Sequence, residues 1–155
     1  MRILSVLAAA LLALTFATNG AMAAGEGKAR YGKQKVVYHI NYPGGKEDKK
    51  WKGALRNIQN HINAVGADKL DIKVVLHGNG VAMLKSANKD GSTLQENVTR
   101  LKGQNIAFQV CANTLRGKKF DYNKDLYDVY KEDIVPSGVA ELARLQQKGY
   151  TYIKP

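Results

Sequence analysis

The sequence predicts an α/β layered fold, with a mostly parallel sheet of about five strands and helices on both faces. Three observations predict it. Short β-branched runs recur along the chain, stretches with apolar residues at steps of three and four lie between them, and glycines or prolines stand at the junctions. Such alternation marks parallel strands joined by crossover helices.

The first strand is Val36-Val37-Tyr38-His39-Ile40, ended by Tyr42-Pro43-Gly44-Gly45. A helix follows from about Asp48. Trp51, Ala54, Leu55, Ile58, Ile62 and Val65 share one of its faces, and Gly66 closes it. The second strand is Ile72-Lys73-Val74-Val75-Leu76, followed by the turn His77-Gly78-Asn79-Gly80 and a short helical piece over Val81 to Lys85. Ser92-Thr93-Leu94-Gln95 has the spacing of a capping box, with Leu94, Val98 and Leu101 continuing at helical steps and Gly103 as a stop. Ile106 to Cys111 forms the third strand and runs into a helix start at Ala112 to Leu115. The polar, tyrosine-rich segment from Asp121 to Tyr130 has room for one more short helix. Ile134-Val135 is a fourth strand. Pro136-Ser137-Gly138 opens a helix carrying Val139, Leu142 and Leu145, Gly149 ends it, and Tyr150 to Ile153 is the last strand.

Residues 1–23 read as a secretory signal peptide. Met1-Arg2 is a short positive start, Ile3 to Ala17 is nearly all apolar, and Ala21-Met22-Ala23 has the small residues a signal peptidase requires. The apolar run is shorter than the roughly 20 residues of a transmembrane helix, and no later stretch approaches that length. A cleaved chain beginning at Ala24 and exported to the periplasm is the expectation; an uncleaved chain tethered by its N-terminus is the alternative. Residues 24–34 (AGEGKARYGKQ) form a small, polar, flexible leader, and residues 35–155 a single domain.

The formal charge of +11 falls to +10 without Arg2. Nucleic acid, anionic membrane and small anions are the partner classes such a charge admits. Export disfavours nucleic acid, and the basic residues are dispersed, with only Trp51 among them as an aromatic. A solvated basic surface is the simplest reading.

Cys111 is the sole cysteine, which excludes an internal disulfide and thioredoxin-like dithiol chemistry. Free cysteine is among the most buried residue types, so one reading is a small hydrophobe in the core. The other follows from its place between strand and helix. Backbone N–H groups at a helix start stabilise a thiolate, and so do Arg116, Lys118 and Lys119 if they turn toward it. A partly exposed thiol there can carry a persulfide, be oxidised, or form a mixed disulfide.

His77, at the end of the second strand, is placed for a base or hydrogen-bond donor in the same crevice, or is a structural histidine. His39 lies in the first strand, and His61 lies one residue off the apolar stripe of the first helix. Neither has a cysteine or carboxylate at metal-ligand spacing, so no metal site is expected. No cofactor is expected either. Gly78-Asn79-Gly80 fails as a dinucleotide fingerprint because Met83 stands where a third glycine is required. Ser137 lacks a G-x-S-x-G setting and reads as a helix N-cap.

The segment FQVCANTLRG, the HGNGV turn and the C-terminal VPSGVAELARLQQKGYTYIKP together resemble the DsrE/DsrF-like family, in particular exported single-domain members, over about residues 35–155. Cys111 matches the position of the sulfur-accepting cysteine of DsrE and TusD. The resemblance implies a flavodoxin-like α/β sandwich, trimers or hexamers, and a persulfide on Cys111. The well-understood members are cytoplasmic and work in heteromeric complexes, so their relay partners do not transfer to an exported chain.

The leading expectation is a periplasmic sulfur-handling protein. Cys111 accepts sulfane sulfur from a small anionic sulfur compound or a relay protein and passes it on, and His77, Asn79 and Asn113 line the crevice. The alternatives are a non-catalytic oligomeric binding module and a single-cysteine redox sensor.

Overall fold

The computed structural model describes residues 30–155. The expected signal peptide and the first part of the leader lie outside that range. Five strands, β1 (Gln34–Ile40), β2 (Leu70–Leu76), β3 (Ala107–Cys111), β4 (Ile134–Val135) and β5 (Thr151–Ile153), form one sheet in the order β4-β3-β2-β1-β5. Every adjacent pair is parallel. Six helices connect them: α1 (Lys49–Val65), α2 (Ala82–Ala87), α3 (Thr93–Lys102), α4 (Ala112–Lys118), α5 (Tyr122–Asp125) and α6 (Gly138–Gln147).

The side-chain period of two in a strand divides the sheet into two faces. Val36, Tyr38 and Ile40 of β1, Ile72, Val74 and Leu76 of β2, and Phe108 and Val110 of β3 join the larger core with α1, α2 and α3. The expected stripe of α1, from Trp51 to Val65, is its buried face. Each fully buried aliphatic side chain there contributes roughly 1.5–3 kcal/mol. The opposite face holds a smaller cluster of Val37, Val75, Leu142 and Leu145, covered by α6 alone.

The expected sheet and helices are present, with informative differences at their ends. β1 and β2 start two residues early because their ladder continues into the pairs Gln34↔Leu70 and Lys35↔Asp71, three of whose four residues are polar. The capping box at Ser92 is shifted: Ser92 Oγ accepts from Gln95 N–H, but the Gln95 side chain accepts from the N–H of Gly91 rather than Ser92. Val139, expected in the apolar stripe of the last helix, is 65% exposed. Residues 138, 141, 142 and 145 face the sheet instead, which puts Glu141 inside at 7% exposure. Arg144 and Gln109 satisfy its carboxylate.

Helices α1 to α4 return along the larger-core face, whereas α6, after β4, crosses to the other. The crevice where the connections part therefore lies at the carboxyl ends of β3 and β4, the place where α/β sheets bind ligands. Cys111 is the last residue of β3.

Candidate functional site

Cys111 ends a strand and serves as the N-cap position of α4, so the first N–H groups of that helix lack intrahelical partners. The thiol is 5% exposed, not partly exposed as the sequence reading expects. Burial pushes its pKa up. Hydrogen bonds from the Gly138 N–H, the Thr114 hydroxyl, and the Thr114 and Asn113 N–H groups outweigh burial and hold it below the ordinary thiol value.

These donors come from two segments. Thr114 and Asn113 belong to the first turn of α4, and Gly138 opens α6, whose N-cap Ser137 accepts from the Ala140 N–H at 3.4 Å. A third segment is tied in through Thr114, since its Oγ1 accepts from the Gly78 N–H at 2.9 Å, which leaves the hydroxyl proton for the sulfur. The His77 turn is thus fixed to the first turn of α4, beside Cys111.

Glycine at 138 is a packing requirement. A side-chain carbon there would lie 2.8 Å from His77 Cβ, 3.2 Å from His77 Cδ2 and 3.3 Å from Cys111 Cβ. His77 and Cys111 therefore flank the same backbone atom. Gly80 has the same kind of origin: a Cβ on it would stand 1.9 Å from the carbonyl oxygen of Ile40. The turn needs a bare backbone to pass the end of β1.

Asn79 and Asn113 are placed differently. The exposed Asn79 accepts from Lys118 Nζ at 3.1 Å, and the Asn113 side chain accepts from Arg116, so both carboxamides engage cations of α4. What Asn113 gives the sulfur is its backbone N–H.

His39 is a site residue that sequence reasoning missed. It sits on the α6 face of β1 at 7% exposure, and its Nε2 lies 2.7 Å from His77 Nε2. Its Nδ1 lies 2.6 Å from the hydroxyl of Tyr152, which is 40% exposed on β5. Burial, then His77 and then Lys154, lower the His39 pKa to about 4. Burial and Lys154 lower His77 as well. Both shifts favour the neutral ring. His39 is signalled by strand period alone: it follows Val37 by two and is the one polar residue on that face near the strand's carboxyl end. His61 is separate, held on the other face by Tyr38 and Gln34.

Among the described residues no cluster of three or more metal-ligating side chains occurs, and no helix is long and apolar enough to cross a membrane.

The fold recurs in known proteins. A protein of unknown function, MTH1491 from Methanobacterium thermoautotrophicum, is similar at 29% identity over 79% of this chain and 100% of that one, with a TM-score of 0.63. The ychN protein from E. coli shares the fold at 19% identity over 80% of this chain and 98% of that one, with a TM-score of 0.56. A search of curated proteins found no match. The profile of the DsrE/DsrF-like family matches residues 34–155, and the chain belongs to that family, whose members are generally connected with sulfur relay.

Proposed function

We propose that this protein is a periplasmic sulfur carrier that holds sulfane sulfur as a persulfide on Cys111. The observation that carries the reading is the place of Cys111 at the end of β3 and the N-cap position of α4, packed against the start of α6 at Gly138, where the Gly138, Thr114 and Asn113 N–H groups and the Thr114 hydroxyl hold the thiol pKa below its ordinary value. They favour the thiolate, which is the nucleophile. They suit a small donor, because the sulfur is 5% exposed, and Lys118, Arg116 and Lys154 make the surroundings favourable for an anion.

The thiolate attacks the outer sulfur of a donor R–S–SH. A new bond forms between Cys111 Sγ and that sulfur, the R–S bond to it breaks, and RS⁻ leaves with the electron pair. No external oxidant or reductant is consumed. Passing the sulfur on is the same step with an acceptor thiolate. Export and assembly into trimers or hexamers belong to the same reading, with the exposed Val139 and Tyr130 offering apolar area to a second copy.

The test is the intact mass of native protein after exposure to polysulfide. Sulfur is gained in steps of about 32 mass units, mapping to Cys111 and reversed by reductant. Cys111→Ser abolishes the gain at a folding cost of about 1 kcal/mol, and His77→Ala slows it. A native thiol inert to polysulfide and to alkylating probes leaves the binding-module reading in its place.

A further inference from the structure

We propose that the cavity between the exit of β1, the first turns of α1 and the Lys154–Pro155 segment binds a small organic dianion. Such a site owes nothing to sulfur chemistry at Cys111.

The cavity has a volume of about 560 Å³, within the roughly 300–1,000 Å³ of small-molecule sites. Its walls are tied to one another. Trp51, buried in α1, donates its indole N–H to the Tyr42 carbonyl at 2.9 Å, and the Tyr42 hydroxyl donates to the Pro155 oxygen at 2.9 Å. The frame of the site is therefore built by the fold alone, which lowers the ordering cost of binding.

Three features of the lining run against the ordinary rules of helices and charges, and all three fall on this cavity. Lys49 and Lys50 occupy the first turn of a 17-residue helix, the end at which the helix dipole disfavours cations, and that turn has no acidic residue. Asp48, just before it, gives no side-chain cap. Gly53 stands inside the same helix, where glycine is a poor choice. No close packing requires it, since the one atom that a Cβ there would meet is Arg56 Nη2, at 4.0 Å. Lys154 adds a third cation from the segment after β5. Of the three lysines only Lys49 has an acidic side chain within reach among the described residues, Glu47 at 3.9 Å, with both groups largely exposed. The charge of Lys154 is felt as far as His39 and His77, whose pKa values it helps to lower. Even a carboxylate at Pro155 leaves positive charge in excess.

Departures from local rules that gather in one place mark a functional site. A dianion accounts for them together: it offsets the lysines, and it lies where a side chain at position 53 would stand. The remaining lining sets the body of the ligand. Gly53, the buried Ala54 and the half-buried Tyr42 offer apolar surface. The exposed Asn57 carboxamide, which makes no hydrogen bond among the described residues, supplies a donor and an acceptor beside them. Carbon against Gly53 and Ala54, with acidic groups toward Lys50 and Lys154, is the chemistry this lining suits.

Phthalate, a benzene ring bearing two carboxylates, is the probe, and inorganic phosphate is the comparison. Titration of the full chain in about 0.15 M salt, followed by nitrogen-15 amide shifts, should saturate with a Kd of about 1 mM or tighter. The shifts should centre on Gly53, Asn57 and Lys154. Inorganic phosphate, which lacks the apolar body, should bind about fivefold more weakly. Lys50→Gln and Lys154→Gln change exposed side chains and should each weaken phthalate binding about fivefold. Gly53→Leu separates the site from the fold. Leucine is a strong helix former with open space before it, so this variant should melt at or above the wild-type temperature and yet lose saturable phthalate binding. Shifts that rise without saturating, phosphate binding as tight as phthalate, or an affinity unchanged in Lys154→Gln or in folded Gly53→Leu would overturn the proposal.

Discussion

Gly138→Ala is the substitution on which the account of the thiol is most exposed. The added carbon would sit 2.8 Å from His77 Cβ and 3.3 Å from Cys111 Cβ, whereas carbons pack at about 3.5–4.0 Å. The start of α6 must therefore retreat by close to 1 Å. Overpacking of this kind costs about 1–3 kcal/mol. The retreat also carries the Gly138 N–H away from Sγ, and that bond leads the interactions lowering the thiol pKa. A hydrogen bond to a charged group contributes roughly 1.5–3 kcal/mol, and 1.36 kcal/mol is a factor of ten. The fraction of thiolate at neutral pH should fall about tenfold or more. The assay is the rate of alkylation against pH, with circular dichroism and a thermal melt to establish that the variant is folded. Ser137→Ala is the control: loss of the N-cap hydroxyl costs about 1 kcal/mol but keeps the Gly138 N–H, so stability drops while the alkylation profile stays. A folded Gly138→Ala protein with the wild-type profile would show that the helix start is not what tunes Cys111.

Gly80→Ala should prevent folding or cost about 3 kcal/mol or more, because the clash is with rigid backbone, the Ile40 carbonyl, rather than with a side chain that can turn away; a soluble variant melting near the wild type would contradict the close approach. Glu141 should give the fold a measurable acid dependence. Its hydrogen bond with Arg144, against burial and with help from Gln109, holds the carboxyl below the usual value, so its contribution is complete above the unfolded pKa of about 4.3 and is lost as pH falls through the lower folded value. Glu141→Gln should flatten that part of the melting temperature profile, and an unchanged profile would mean the Glu141–Arg144 pair adds nothing.

Periodicity made most of the fold legible, since it is a local property. The α1 stripe from Trp51 to Val65 needs only the helical repeat, and the place of Cys111 needs only a strand followed by a helix start. Val139 was misread because period gives the steps of a helix but not its phase. The phase of α6 is set by the Ser137 cap and by Gly138 packing against His77, and these turn Glu141 rather than Val139 toward the sheet. Asn79 and Asn113 lie in the expected turns, but their carboxamides meet Lys118 and Arg116, a choice made by side chains 39 and 3 residues away.

The His39–His77 contact shows where local reading stops. The two residues are 38 apart in sequence, and Tyr152 is 113 residues beyond His39. Only the sheet order brings them together, with β1 between β2 and β5. The same holds for the donors on Cys111, which come from the starts of two helices, with Thr114 bonded in turn to the β2 turn. Desolvation opposes all of these segments in the buried position Cys111 occupies, and together they outweigh it. The lowered thiol pKa is therefore a property of the closed crevice at the parting of α4 and α6. Any perturbation that loosens α6 from the sheet removes the Gly138 donor and lets water reach the sulfur in the same motion, so exposure of Cys111 by loosening and its activation as a thiolate are opposed in this fold.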